Sequence, residues 1–360
     1  MMKKFFGTAI IAFAMIPALF AQDSTKSLTF SGSVDAYYRY NFANAPDSYH
    51  SNNYTSFTNS QSSFALGMAS IRADATALSG KVTATADLGF GPRAQEFSYA
   101  ETPNTTTLAM VKQMFITYAI SSKVKLTAGK FATHVGYEVL DPFLNKNYSM
   151  SYMFTNGPFS HTGIKADITA GPIGLMFGIA NYIDQTNSTT DVKTIISQIS
   201  GGSKDGKLKA YLNYAGFYGS SEGMNPSKLK SFTQLDFVLT DAISDKFSLG
   251  FNATMQDRVQ TAGSSTANGA WWGAALYLTA ATSSKVNFNL RSEYINDSKK
   301  VYYGSTSIFA NTISLNYQAG PFTFIPEYRF EFANEGFYSK HDGTGQTATS
   351  TLLFATVYKF

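Results

Sequence analysis

The chain of 360 residues contains no cysteine, which removes a disulfide framework, a thiolate metal site and the acceptor of a lipoprotein anchor. Charge of either sign is sparse and scattered: 28 Lys and Arg stand against 24 Asp and Glu, a net +4, with no basic run, so nucleic acid is not an expected partner. After residue 21 no segment approaches the ~20 consecutive apolar residues that a membrane-crossing helix needs. A helical membrane protein is thereby excluded. Histidine is scarce too, at His50, His134, His161 and His341, and no zinc-binding pair, nucleophile elbow, phosphate loop or dinucleotide fingerprint is present. His161 shares strand parity with Lys165 and Asp167, but a lumen-lining polar group accounts for it better than a catalytic one. No enzyme activity, cofactor or metal is expected.

What is abundant is aromatic surface: 30 Phe and 22 Tyr, 15% aromatic with the two Trp, on a chain that is slightly polar on average. Such a load suits alternating strands with aromatic girdles at two membrane interfaces. The final segment shows it most clearly. Leu352, Phe354, Tyr358 and Phe360 share one face and Thr351, Ala355 and Lys359 the other, as in a strand with lipid outside and water inside. A terminal aromatic such as Phe360 resembles the signal read by the barrel-assembly machinery of the bacterial outer membrane.

The N-terminus agrees with export. Lys3 and Lys4 precede an apolar run from Phe5 to Phe20, and Ala21 then meets Gln22, Asp23 and Ser24. Residues 1–21 are therefore expected to be a cleaved signal peptide, and residues 22–360 one barrel domain.

Period-two segments number about 16, roughly 21 residues per strand and connection, within the range of bacterial barrels. They begin at residues 27–42, 60–76, 81–91, 107–120 and 124–136, and end at 322–335 and 347–360. Connections alternate: tight turns such as Gly171-Pro172 and Gly320-Pro321 are interleaved with polar loops, the longest being 137–158. The expected fold is all-β, a transmembrane antiparallel up-and-down β-barrel with short periplasmic turns and longer extracellular loops. Segments 60–76 and 107–120 mix their faces, and Pro326 inside a strand implies a bulge.

The alternation also sorts the lumen. In Lys285 to Glu293, Val286, Phe288 and Leu290 oppose Asn287, Asn289, Arg291 and Glu293; in Phe322 to Phe332 the aromatics oppose Thr323, Glu327, Arg329 and Glu331. An Arg on the lipid face would cost roughly 2–4 kcal/mol at the midplane. Arg39, Lys165, Arg291 and Arg329, facing Asp35, Asp167, Glu293, Glu327 and Glu331, are thus the expected electrostatic lining of a wet lumen. The alternative is that they pair with each other and stiffen the wall. A barrel of this size leaves an aqueous channel unless something narrows it. The candidate is the loop 137–158, which carries Glu138, Asp141 and Lys146 among Phe143, Tyr148, Tyr152 and Phe154, and which by position resembles the inward third loop of general porins.

The stretch Thr127-Ala128-Gly129-Lys130-Phe131-Ala132-Thr133-His134-Val135-Gly136-Tyr137-Glu138, with Asn147-Tyr148-Ser149 and Gly157-Pro158-Phe159-Ser160-His161-Thr162-Gly163, resembles the OmpL-like outer-membrane porins, the second β-barrel porin family. Where that pattern commonly has Pro two residues before the second Gly, this chain has His134. The resemblance implies a passive channel of the bacterial outer membrane for small hydrophilic solutes and ions, bathed by outer-membrane lipid and compatible with a homo-oligomer. The competing reading is a structural or adhesive barrel with a closed lumen.

Overall fold

The computed structural model describes residues 26–46, 51–101, 107–188, 190–219, 229–260, 268–303 and 307–360. The expected signal peptide and His50 lie outside these residues. The strands are β1 (Ser27–Asn41), β2 (Ser63–Ala77), β3 (Val82–Phe90), β4 (Val111–Ala119), β5 (Val124–Ala132), β6 (Ser160–Ala170), β7 (Ile173–Ala180), β8 (Thr194–Gly202) and β9 (Leu208–Tyr218). They continue as β10 (Leu229–Asp241), β11 (Phe247–Gln260), β12 (Gly269–Ala281), β13 (Val286–Asn296), β14 (Ser307–Ala319), β15 (Phe322–Ala333), the small hairpin β16 (Tyr338–Ser339) and β17 (Gly345–Gln346), and β18 (Ala348–Lys359). All but the hairpin pair form one closed barrel, each strand beside its chain neighbour and β1 beside β18. Closure leaves no strand edge in the hydrocarbon, where unpaired backbone groups would each cost several kcal/mol, roughly. It is tied at Gly32 and Phe360, whose N–H groups donate to each other's carbonyls at 3.1 and 3.0 Å. Gly32 has no side chain because a Cβ there would stand 2.5 Å from the Phe360 ring.

The alternation read from the sequence appears as two surfaces. Val34, Phe288, Tyr328, Phe332, Leu352, Phe354 and Phe360 are exposed on the outside, while Asp35, Arg39, Arg291, Glu327 and Arg329 are buried on the inside. At the Gly171-Pro172 and Gly320-Pro321 turns, glycine takes φ of +63° and +61° ahead of a proline whose φ is fixed. That arrangement matches the two-residue hairpins whose twist suits adjoining strands.

The two segments with mixed faces each contain an irregularity. Between β1 and β2 the register passes from Val34↔Ala69 to Ala36↔Leu66, so Gly67 and Met68 together oppose Asp35. One extra residue inverts the parity: Ile71 is exposed on one side of the bulge, Leu66 and Phe64 on the other. Between β3 and β4 the register passes from Asp87↔Gln113 to Leu88↔Val111, and Lys112 becomes the extra residue, buried toward the interior. The bulge expected at Pro326, by contrast, is absent. Pairing with β14 lapses between Ser314↔Glu327 and Tyr317↔Phe324 and resumes in the same register, while Pro326 stays opposite Phe354 of β18. A missing N–H is accommodated where the ladder already has a gap. The expected strand 124–136 also stops earlier, at Ala132, and the chain there turns into the barrel.

Candidate functional site

Residues 133–159 connect β5 to β6 through the interior of the barrel. Irregular backbone away from bulk water needs a partner for each N–H and C=O, and the inward side chains of the wall supply them in sequence. His134 Nε2 donates to the Tyr214 carbonyl of β9 at 3.0 Å, and Gly136 N donates to Asp236 of β10 at 2.9 Å. Tyr137 stacks on Tyr277 of β12 with ring centroids 4.0 Å apart. Glu138 meets Arg291 of β13 at 2.6 Å, and Asp141 turns the other way to Lys112 of β4, also at 2.6 Å. The Lys146 carbonyl accepts from Asn316 and the Asn147 amide donates to Ser314, both on β14.

At the tip the wall carboxylates bind backbone directly. Glu327 accepts from Tyr148 N and Ser149 N at 2.8 and 3.2 Å, and Glu293 accepts from Tyr152 N at 2.8 Å. Tyr148 Oη donates to Asp35 at 2.5 Å and Tyr152 Oη to Glu331 at 2.7 Å. Arg291 and Arg329 donate to the carbonyls of Ser149 and Met150. The chain then forms the short helix α2 (Tyr152–Asn156), started by Ser151, whose Oγ accepts from Phe154 N. Asn156 is held by Gln256 of β11 before the chain returns to β6.

Of the nine residues expected to line water, seven face inward but are covered, six by this loop and Arg39 by the first long loop. Asp35, Arg39, Arg291, Glu293, Glu327, Arg329 and Glu331 are at most 5% exposed, which corrects the expectation of a solvated lining at those positions. They form paired, loop-binding groups: Arg291 reaches Glu293 at 3.3 Å, and Arg329 reaches Glu293 at 3.1 Å and Glu331 at 2.9 Å. Arg39 instead donates to the carbonyls of Ser51 and Ser60 in the first long loop. Only Lys165 and Asp167 keep substantial accessible surface, and they pair with each other at 3.0 Å. Of the three loop charges, Glu138 and Asp141 sit in ion pairs, and Lys146 lines a cavity of about 340 Å³ with His134, Tyr137, Gln198, Tyr211 and Thr240. His161 is buried with its ring 5.3 Å from that of His134 and its Nε2 3.3 Å from Thr133 Oγ1.

The sequence reading missed several participants. Arg93, in the short helix α1 (Pro92–Phe97), is fully buried between the rings of Phe57 and Tyr148 and donates to the Leu140 carbonyl at 3.0 Å. Asp87 and Lys112 form a buried pair at 3.0 Å beside the β4 bulge. Asp236 gathers Gly136, Asn213 and Asn252 on the opposite wall. Arg93 belongs to no alternating pattern, and Lys112 stands at the place where alternation fails. The pair Arg72 and Asp74, 2.7 Å apart and about a third exposed, joins Lys165 and Asp167 as water-accessible charge in the interior.

Several solved barrels share this architecture. The outer-membrane channel DcaP of Acinetobacter baumannii superposes with a TM-score of 0.62 at 14% identity, over 93% of this chain and 97% of that one. An anion-selective porin from Comamonas acidovorans gives 0.57 at 11%, over 93% and 100%. The trimer form of OmpT from Vibrio cholerae gives 0.57 at 11%, over 93% and 99%. No curated protein matches the sequence. Residues 27–360, the whole barrel from its first strand to the terminal Phe360, match the family described as "Putative beta-barrel porin-2, OmpL-like", and the chain belongs to that family of outer-membrane porins.

Proposed function

We propose that this porin is a passive diffusion channel for small hydrophilic solutes and ions, with its bore set by residues 133–159 rather than by the barrel wall. The observation that carries this reading is the division of inward charge. Arg291, Glu293, Glu327, Arg329 and Glu331 are spent on holding the loop, whereas Arg72, Asp74, Lys165 and Asp167 remain wetted. A fixed loop beside a wet wall is the arrangement by which charged rings and constrictions sort solutes. These four groups are two acids and two bases and cancel one another in sign.

Three further assignments belong to the same reading. Residues 1–21 act as the export signal and are removed; the strand ending at Phe360 is presented to the barrel-assembly machinery; and a homo-oligomer forms in outer-membrane lipid, as the trimer form of OmpT does. Swelling of liposomes carrying the refolded protein tests the channel reading. Sugars of increasing size should enter at falling rates with a sharp limit; protein-loaded liposomes that swell no faster than empty ones would instead favour the closed structural barrel.

A further inference from the structure

Above the loop, at the end bearing the long connections, lies a cavity of about 390 Å³ lined in part by Ser56, Glu96, Tyr99, Asn156, Arg258 and Tyr302. A second, of about 150 Å³, reaches Arg72, Lys112, Gln113 and Asp141. Phe159 belongs to the lining of both. Around it stand three more phenylalanines. Phe97 stacks on Phe159 at 5.7 Å between centroids and 9° between planes, Phe154 at 5.2 Å and 21°, and Phe57 approaches at 5.7 Å. All four are at most 7% exposed.

These rings come from three separate connections: Phe57 from the first long loop, Phe97 from α1, and Phe154 and Phe159 from either side of the end of α2. Two carboxylates, the buried Asp184 and the half-buried Glu96, hold the backbone of two of them. Asp184 accepts from Phe159 N at 2.6 Å and from Tyr99 Oη at 2.7 Å, and Glu96 accepts from Phe57 N at 2.9 Å. With Met68, Ala94, Leu140 and Met150 these rings make up one of the apolar clusters buried inside the barrel, assembled from three loops and held by two acids. It separates two cavities that are both edged with charge.

We propose that Phe57, Phe97, Phe154 and Phe159 form an apolar partition across the permeation route, and that it is the element that determines which solutes pass. This rests on the channel reading above and names the class of solute it favours. Water and hydrated ions lose hydration at such a layer, since apolar constrictions oppose conduction by dewetting. A small zwitterion or neutral solute with an aromatic or apolar face replaces that lost hydration with ring contacts and crosses at lower cost.

The test is the unit conductance in KCl of the full refolded chain, of Phe159→Ala and of Phe154→Ala, each shown to be folded by heat-modifiable migration. Phe64→Ala, on the outer surface, is the control. The partition predicts about a twofold or larger rise in either ring variant and none in the control. A conducting wild type whose ring variants give the same steps overturns the partition and leaves the channel reading standing; silence in every variant removes both. A second measurement needs no substitution: phenylalanine should enter proteoliposomes faster than the smaller glutamine, and entry strictly in order of size would overturn the partition.

Discussion

Arg291 Nη1 lies 2.6 Å from Glu138 Oε1, joining strand β13 to the loop that passes through the lumen beside it. Neither side chain has more than 3% of its surface exposed. Arg291 also donates to the Ser149 carbonyl, and Glu138 accepts from Ser151 N, so one ion pair fixes two separate points of the loop. Replacing such a pair by apolar residues can be neutral, but removing one partner strands the other's charge, at a cost of about 3–5 kcal/mol.

Glu138→Gln is therefore expected to lower stability by several kcal/mol, on the order of the cost of an uncompensated buried charge. Equilibrium unfolding of the refolded protein in urea measures it. Lys300→Ala, which removes an exposed pair with Glu335, should cost at most about 1 kcal/mol. Equal effects at the two sites would mean that the loop is not anchored through Glu138.

Gly67 stands in the β2 bulge where a Cβ would fall 1.6 Å from Asp35 Oδ2, and Asp35 has no freedom to retreat. Its carboxylate is held by Met68 N at 3.2 Å and by Tyr148 Oη. Gly67→Ala should displace Asp35, release the loop tip and increase current noise in planar bilayers. Tyr148→Phe, which removes the same hydrogen bond without touching the bulge, should reproduce the noise; a quiet Tyr148→Phe channel would show that the tip is held elsewhere.

Asp184, in the connection between β7 and β8, is buried, and burial raises its carboxyl to about 6 from an ordinary 3.8, against the opposing pull of its hydrogen bonds from Ser160, Tyr99 and Phe159. A folded-state value above the unfolded one means that folding takes up a proton. The contribution is fully present below about pH 4 and is lost as pH rises through about 6, on the order of 3 kcal/mol in all. The wild type should lose heat stability relative to Asp184→Asn between pH 4 and pH 7, read from the temperature at which heat-modifiable migration changes. Parallel pH profiles for the two proteins would show that Asp184 does not titrate in this window.

The barrel was legible because one physical rule, lipid outside and water inside, acts on every second residue of strands such as β13, β15 and β18. Where a bulge breaks that period, at Gly67-Met68 and Lys112, the rule returns a mixed face, and the mixed segments 60–76 and 107–120 marked those two places. The charged inner residues were legible as inward but not as covered. Whether Glu327 meets water or Tyr148 N depends on a loop more than 170 residues away in the chain, and no local pattern records that contact. Arg93 is the extreme case: an arginine of the short helix α1 whose burial arises from Phe57, Leu140 and Tyr148 closing around it.

Single-channel recording of the refolded mature protein in a planar bilayer, repeated under a salt gradient, tests the central claim most directly. The account predicts stable open steps, with a reversal potential that reports the wetted charge left over beyond the balanced pairs Arg72–Asp74 and Lys165–Asp167. Folded protein that never conducts would contradict it and identify a closed barrel.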